Sequence, residues 1–85
     1  MEQNLNLYHI FYTVAKCRNI SGAARQLFIS QPAISKAISK LEDSLGLSLF
    51  TRSSRGVQLT AEGEILFEHT REAFDALERG ESELK

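Results

Sequence analysis

Gln31, Pro32, Ser35, Lys36, Ser39 and Lys40 are spaced so that, at about 100° per residue, a helix carries them on one side. That side offers an amide, two hydroxyls and two ammonium groups, and no carboxylate; Glu42 and Asp43 come only toward its C-terminal end. Amide, hydroxyl and cationic groups are the donors and acceptors that read base edges in a major groove. A polar helix face turned to solvent has the same composition, so the residue types alone leave both readings open. Further along, Arg52 and Arg55 flank a Gly-containing turn. They could reach phosphates or a minor groove, where negative potential favours arginine, although two arginines by themselves also suit a solvated surface.

Other reactive residues suggest less. Cys17 is the only cysteine, which excludes an intrachain disulfide, and beside an apolar helix face it reads as a small buried hydrophobe. His9 and His69 are too far apart for a local metal motif and are expected to be partly exposed helix residues. The serines have no nearby base and orienting acid, and there is no Gly-rich phosphate loop. No catalytic residue, metal or cofactor is expected.

The elements that must position the polar face follow from periodicity. Leu7, Ile10, Phe11, Val14 and Ala15 mark a first amphipathic helix ending near Arg18 and Asn19. Ser21 is expected to cap a short second helix, Gly22 to Phe28, whose Ala23 and Ala24 permit close packing. Ser30 caps the third, with Pro32 in its first turn, Ile34, Ile38, Leu41 and Leu45 on its apolar side, and Gly46 at its end. Leu49 to Arg52 and Val57 to Leu59 then read as a hairpin around Ser53-Ser54-Arg55-Gly56. Thr60 caps a last helix over 61–84, with Glu62 and Glu64 complementing its dipole. Leu66, Phe67, Thr70, Ala73, Phe74, Leu77 and Leu84 form a roughly heptad stripe along it, the kind a partner helix covers. The expected fold is mainly α: a winged helix-turn-helix of three helices plus a two-stranded wing over 1–60, then a long linker and dimerisation helix over 61–85.

Length and charge agree with this layout. Eighty-five residues leave room for one small domain. The longest apolar runs, such as Leu27 to Ile29, are three residues, and the opening Glu2, Gln3 and Asn4 do not resemble a signal peptide, so no membrane association and a cytoplasmic location are expected. The overall charge of -1 conceals a division. Residues 1–59 hold seven bases and three acids, whereas 60–85 hold three bases and eight acids. The basic body suits a polyanion; the acidic tail does not.

At Asn19-Ile20-Ser21-Gly22-Ala23-Ala24, then Leu27 and Ser30-Gln31-Pro32-Ala33-Ile34-Ser35, the chain resembles the N-terminal domain of LysR-type bacterial transcriptional regulators. The likeness continues through Ile38, Leu41-Glu42, Leu45-Gly46, Leu49-Phe50, Arg52, Arg55 and Leu59-Thr60 to Gly63, nearly the whole chain in one order. It implies a homodimer, formed through the linker helix, that binds interrupted palindromes in promoter DNA. It further implies base reading by Gln31, Pro32, Ser35 and Lys36, backbone contacts from Ser30 and the wing, and Arg55 near the minor groove. Lys36 stands where the family often has arginine, and a lysine lacks the planar fork that grips guanine. Such regulators continue into an effector-sensing domain; a chain ending with the linker helix is expected to be a DNA-binding fragment, with any small-molecule effector acting through a domain it lacks. The competing reading is a winged-helix module for protein association, with the acidic tail as its surface and the third helix away from DNA.

Overall fold

The computed structural model describes residues 4–85; Glu2 and Gln3, used above against a signal peptide, lie outside them. Four helices and one hairpin follow in order: α1 Leu5–Cys17, α2 Ile20–Leu27, α3 Gln31–Leu45, β1 Phe50–Ser53, β2 Gly56–Leu59 and α4 Ala61–Glu83. None of these helices is long and apolar enough to cross a membrane.

Each helix begins on a side-chain cap, which satisfies a backbone N–H that the first turn leaves free. The Asn4 side chain accepts from Asn6 N–H, Asn19 from Gly22, Ser30 from Ala33 and Thr60 from Gly63. The cap of α2 differs from expectation: Asn19 takes the role given to Ser21, and the helix starts at Ile20 and stops at Leu27. The reason lies in the joint before it. Arg18 adopts a left-handed conformation, φ 61°, and closes α1 by donating to Val14 O. Asn19 then caps α2 through Oδ1 while its Nδ2 donates to Cys17 O, so one side chain serves two helix ends.

The two strands are antiparallel, with Phe50 opposite Leu59 and Ser53 opposite Gly56. β1 lies one residue nearer the turn than expected, and β2 starts one residue earlier while still ending at Leu59, leaving Ser54-Arg55 as a two-residue loop. Leu49 drops out because only its carbonyl keeps the ladder, accepting from Thr60 N–H across from it, while its N–H donates to the Glu42 carboxylate. Gly56 enters β2 with φ 107°, and its Cα approaches Arg18 O so closely that a Cβ would lie 2.6 Å away. Only glycine meets both requirements.

Phe11, Val14, Ile34, Leu41 and Leu49 are the largest fully buried side chains, and they join α1 to α3 and to the root of the wing. Burying each gains about 1.5–3 kcal/mol, so this small cluster supplies much of the cohesion of the body. Leu45, expected on the apolar side of α3, is 39% exposed because it sits in the last turn, beyond the body. The far end of α4 also projects, and the molecule measures 42 × 26 × 21 Å.

Candidate nucleic-acid interface

The polar side of α3 lies opposite a buried row of Ile34, Ile38 and Leu41. Gln31, Pro32, Lys36, Ser39 and Lys40 are exposed, whereas Ser35 is half-buried. Ser30 Oγ accepts from Ala33 N–H at 3.2 Å, which leaves the hydroxyl hydrogen able to donate outward. The first turn of α3 holds no acid, so the positive end of its dipole faces solvent uncompensated. Among the described residues the one ion pair joins Arg71 to Glu68 on α4. Lys36, Lys40, Arg52 and Arg55 are thus not tied to a carboxylate, and an arriving polyanion need not displace one.

The wing brings its arginines to one end without making them equivalent. Arg55 occupies the turn, where its N–H donates to Ser53 Oγ. Arg52 pairs across the ladder with Val57, which is buried, so its side chain leaves the sheet on the side that faces the body. Arg55 is the better placed of the two to reach beyond the tip. Val57 N–H donates to Arg18 O, fastening β2 to the end of α1.

The structure gives Glu42 a role that neither its place near the end of α3 nor the family likeness assigns it. Its Oε2 accepts from Leu49 N–H at 2.7 Å and from Phe50 N–H at 3.3 Å. A signal was present: a carboxylate four residues before a Gly46 helix stop is disfavoured by the helix dipole unless something else holds it there.

The proposed dimerisation stripe needs its premise corrected. Leu66, Phe67, Thr70 and Phe74 do not lie bare in water within one chain, because the body of the same chain covers them. Leu66 and Phe67 pack on the core, Thr70 is 6% exposed with its hydroxyl donating to Phe67 O, and Tyr12 lies against both Phe67 and Phe74. Lys16 in turn sits over the Tyr12 ring. Ala73 and Leu77 remain exposed, and Leu77 borders an open groove of about 620 Å³ between α1 and α4 that also includes Leu5, His9 and Phe74.

Other residues take supporting places. Cys17 is a half-buried free thiol against the core. His9 is exposed with its ring 5.3 Å from that of Phe74, and His69 is exposed on α4. No group of three or more His, Cys, Asp or Glu residues among those described is arranged to hold a metal.

Residues 5–64 match the family model for bacterial regulatory helix-turn-helix proteins of the lysR family. The chain is 45% identical over 76 residues to the HTH-type transcriptional regulator PerR of Escherichia coli K12, covering 89% of this chain and 26% of that one. It spans about a quarter of the length of the curated relatives it matches. Two solved complexes share its fold: the DNA-binding domain of CbnR with DNA, at 33% identity and a TM-score of 0.83 over 95% of this chain and 93% of that one, and that of BenM with catB site 1 DNA, at 29% identity and a TM-score of 0.87 over 96% and 92%. With its three-helix body, two-stranded wing and long following helix, the chain belongs to the lysR family of bacterial regulatory helix-turn-helix proteins, as a winged helix-turn-helix DNA-binding domain.

Proposed function

We propose that the chain binds double-stranded promoter DNA sequence-specifically as a homodimer, as the DNA-binding part of a cytoplasmic transcriptional regulator, and catalyses no reaction. The single observation that carries this reading is the outward side of α3: exposed but for half-buried Ser35, free of carboxylates at its leading end, and backed by a buried apolar row that fixes its orientation. Gln31 and Lys36 read base edges there, Pro32 and Ser35 shape the approach, and Ser39 and Lys40 meet the groove wall. Ser30 and the wing arginines hold phosphates, Arg55 reaching toward the minor groove. Likeness to two DNA-bound domains supports the same reading. The partner helix lies along α4 at Ala73 and Leu77, next to the already covered Leu66, Phe67, Thr70 and Phe74. A small-molecule effector acts through a part of the regulator outside these residues.

The test is a fluorescence titration of the chain against the duplex upstream of its own coding sequence and against a scrambled duplex of equal length. Specific binding at physiological salt should exceed non-specific binding by at least roughly 10³-fold. Equal affinities would refute sequence reading, and no binding to either duplex would favour a protein-association module.

A further inference from the structure

Glu42 binds the segment that follows α3 at both ends of its own structure. Its backbone carbonyl accepts from Gly46 N–H at 2.8 Å and Leu47 N–H at 3.2 Å, and its carboxylate accepts from Leu49 and Phe50. Four of the five N–H groups from residue 46 to 50 therefore end on this one residue. Two carbonyls of the segment meet the root of α4: Thr60 Oγ1 donates to Ser48 O at 2.8 Å, and Thr60 N–H donates to Leu49 O at 3.0 Å.

The β1 side of the wing depends on this anchorage, as β2 depends on the bond from Val57 N–H to Arg18 O. An isolated two-stranded ribbon is marginally stable, and the sheet here has only two strands. Phe50 opens β1 and the turn lies about 10 Å further on at strand rise, so a small rotation at the root becomes a larger displacement at the tip. Two bonds from one side-chain oxygen to consecutive amides oppose that rotation. Glu42 also projects from the helix that carries the polar side, so it fixes the wing relative to α3 itself rather than to the body at large.

We propose that Glu42 is a positioning residue for DNA binding, its carboxylate holding the root of the wing so that Arg55 engages DNA in register with the outward side of α3. This rests on the DNA-binding reading above. Glu42 touches no DNA; it acts through the Leu49 and Phe50 amides.

The test is a double-mutant cycle on the whole chain, with the duplex upstream of its own coding sequence as probe. Glu42→Asp keeps the charge but withdraws it by one methylene; Glu42→Gln keeps the length and an oxygen acceptor. Glu42→Asp and Arg55→Ala should each weaken binding by about tenfold, and together also by about tenfold rather than a hundredfold, because a wing out of register has already lost the arginine's contribution. Glu42→Gln should restore affinity to within about threefold of wild type. Amide hydrogen exchange in the free protein should speed up at Leu49 and Phe50 in Glu42→Asp by about tenfold or more, with Val14 in the core unchanged. Multiplying losses, wild-type affinity in Glu42→Asp, or unaltered exchange at the two amides would overturn the inference while DNA binding stands. Wild type that binds no duplex would overturn the DNA-binding reading and this inference with it.

Discussion

Lys36 and Gln31 stand exposed on the polar side of α3, while Ser35 between them is half-buried, so the three do not carry equal weight. Replacing Gln31 or Lys36 with alanine should cost about 1–3 kcal/mol against the specific duplex and far less against random DNA. Equal losses in parallel titrations would mean that neither side chain reads a base. Arg55→Ala should act differently, weakening binding to most sequences and making the slope of log affinity against log salt shallower by about one unit, since one fewer counterion is released. A slope and affinity both unchanged would place Arg55 in solvent. The polar side was legible because a buried row at helical spacing turns the residues opposite it outward, while Ser35 lies close enough to that row to be half-buried. Arg52 was less legible: only the register, which sets it across from buried Val57, shows that it leaves the sheet toward the body.

Joints between elements decide what the hydrophobic pattern does not. Ser21 and Asn19 are both good caps, and Asn19 prevails because Arg18 turns left-handed and aims it at two helix ends at once. The start of β1 moved because Leu49 N–H goes to the Glu42 carboxylate, a partner invisible to a local reading, while its carbonyl still meets Thr60 across the ladder. Gly63 belongs to the same joint. A Cβ there would lie 2.1 Å from Leu49 O, backbone against backbone, with no flexible group to give way. Gly63→Ala should therefore destabilise the protein by about 1–3 kcal/mol, the usual range for overpacking, or by more if α4 is displaced from its seat. The check is the urea midpoint at constant m; a midpoint equal to wild type would mean that α4 can lift away without loss. The turn before α3 invites the opposite change. Phe28 is 93% exposed and left-handed, φ 58°, so it gains little from burial and bears the steric penalty of its Cβ. Phe28→Gly should raise stability by up to about 1 kcal/mol, and a lower urea midpoint would show that the ring is held by a contact worth more than the strain.

At the scale of the whole molecule, periodicity revealed that α4 has an apolar stripe but not which chain covers it. Leu66 and Phe67 pack on the core of their own chain, whereas Leu77 is 54% exposed at the edge of the α1 and α4 groove, and its neighbours Glu78 and Glu81 make that end of the helix unfit to lie along DNA. A second α4 crossing there would bury Leu77 and keep two basic bodies apart, so that their third helices meet major grooves roughly 34 Å, or a multiple of it, apart. The partial cover by α1 makes the proposal sharper, because the two kinds of position should separate under the same substitution. Leu66→Asp sets an unpaired carboxylate against the core of one chain and should lower the stability of the protomer by about 1–3 kcal/mol at any concentration. Leu77→Asp sets the carboxylate in water in the monomer and in the seam only in the dimer. It should leave the protomer folded, shift sedimentation toward the monomer, and reduce affinity for a palindrome far more than for a half-site. Wild type already monomeric at tens of micromolar concentration, or Leu77→Asp still dimeric with full palindrome binding, would remove α4 from the role of dimer helix.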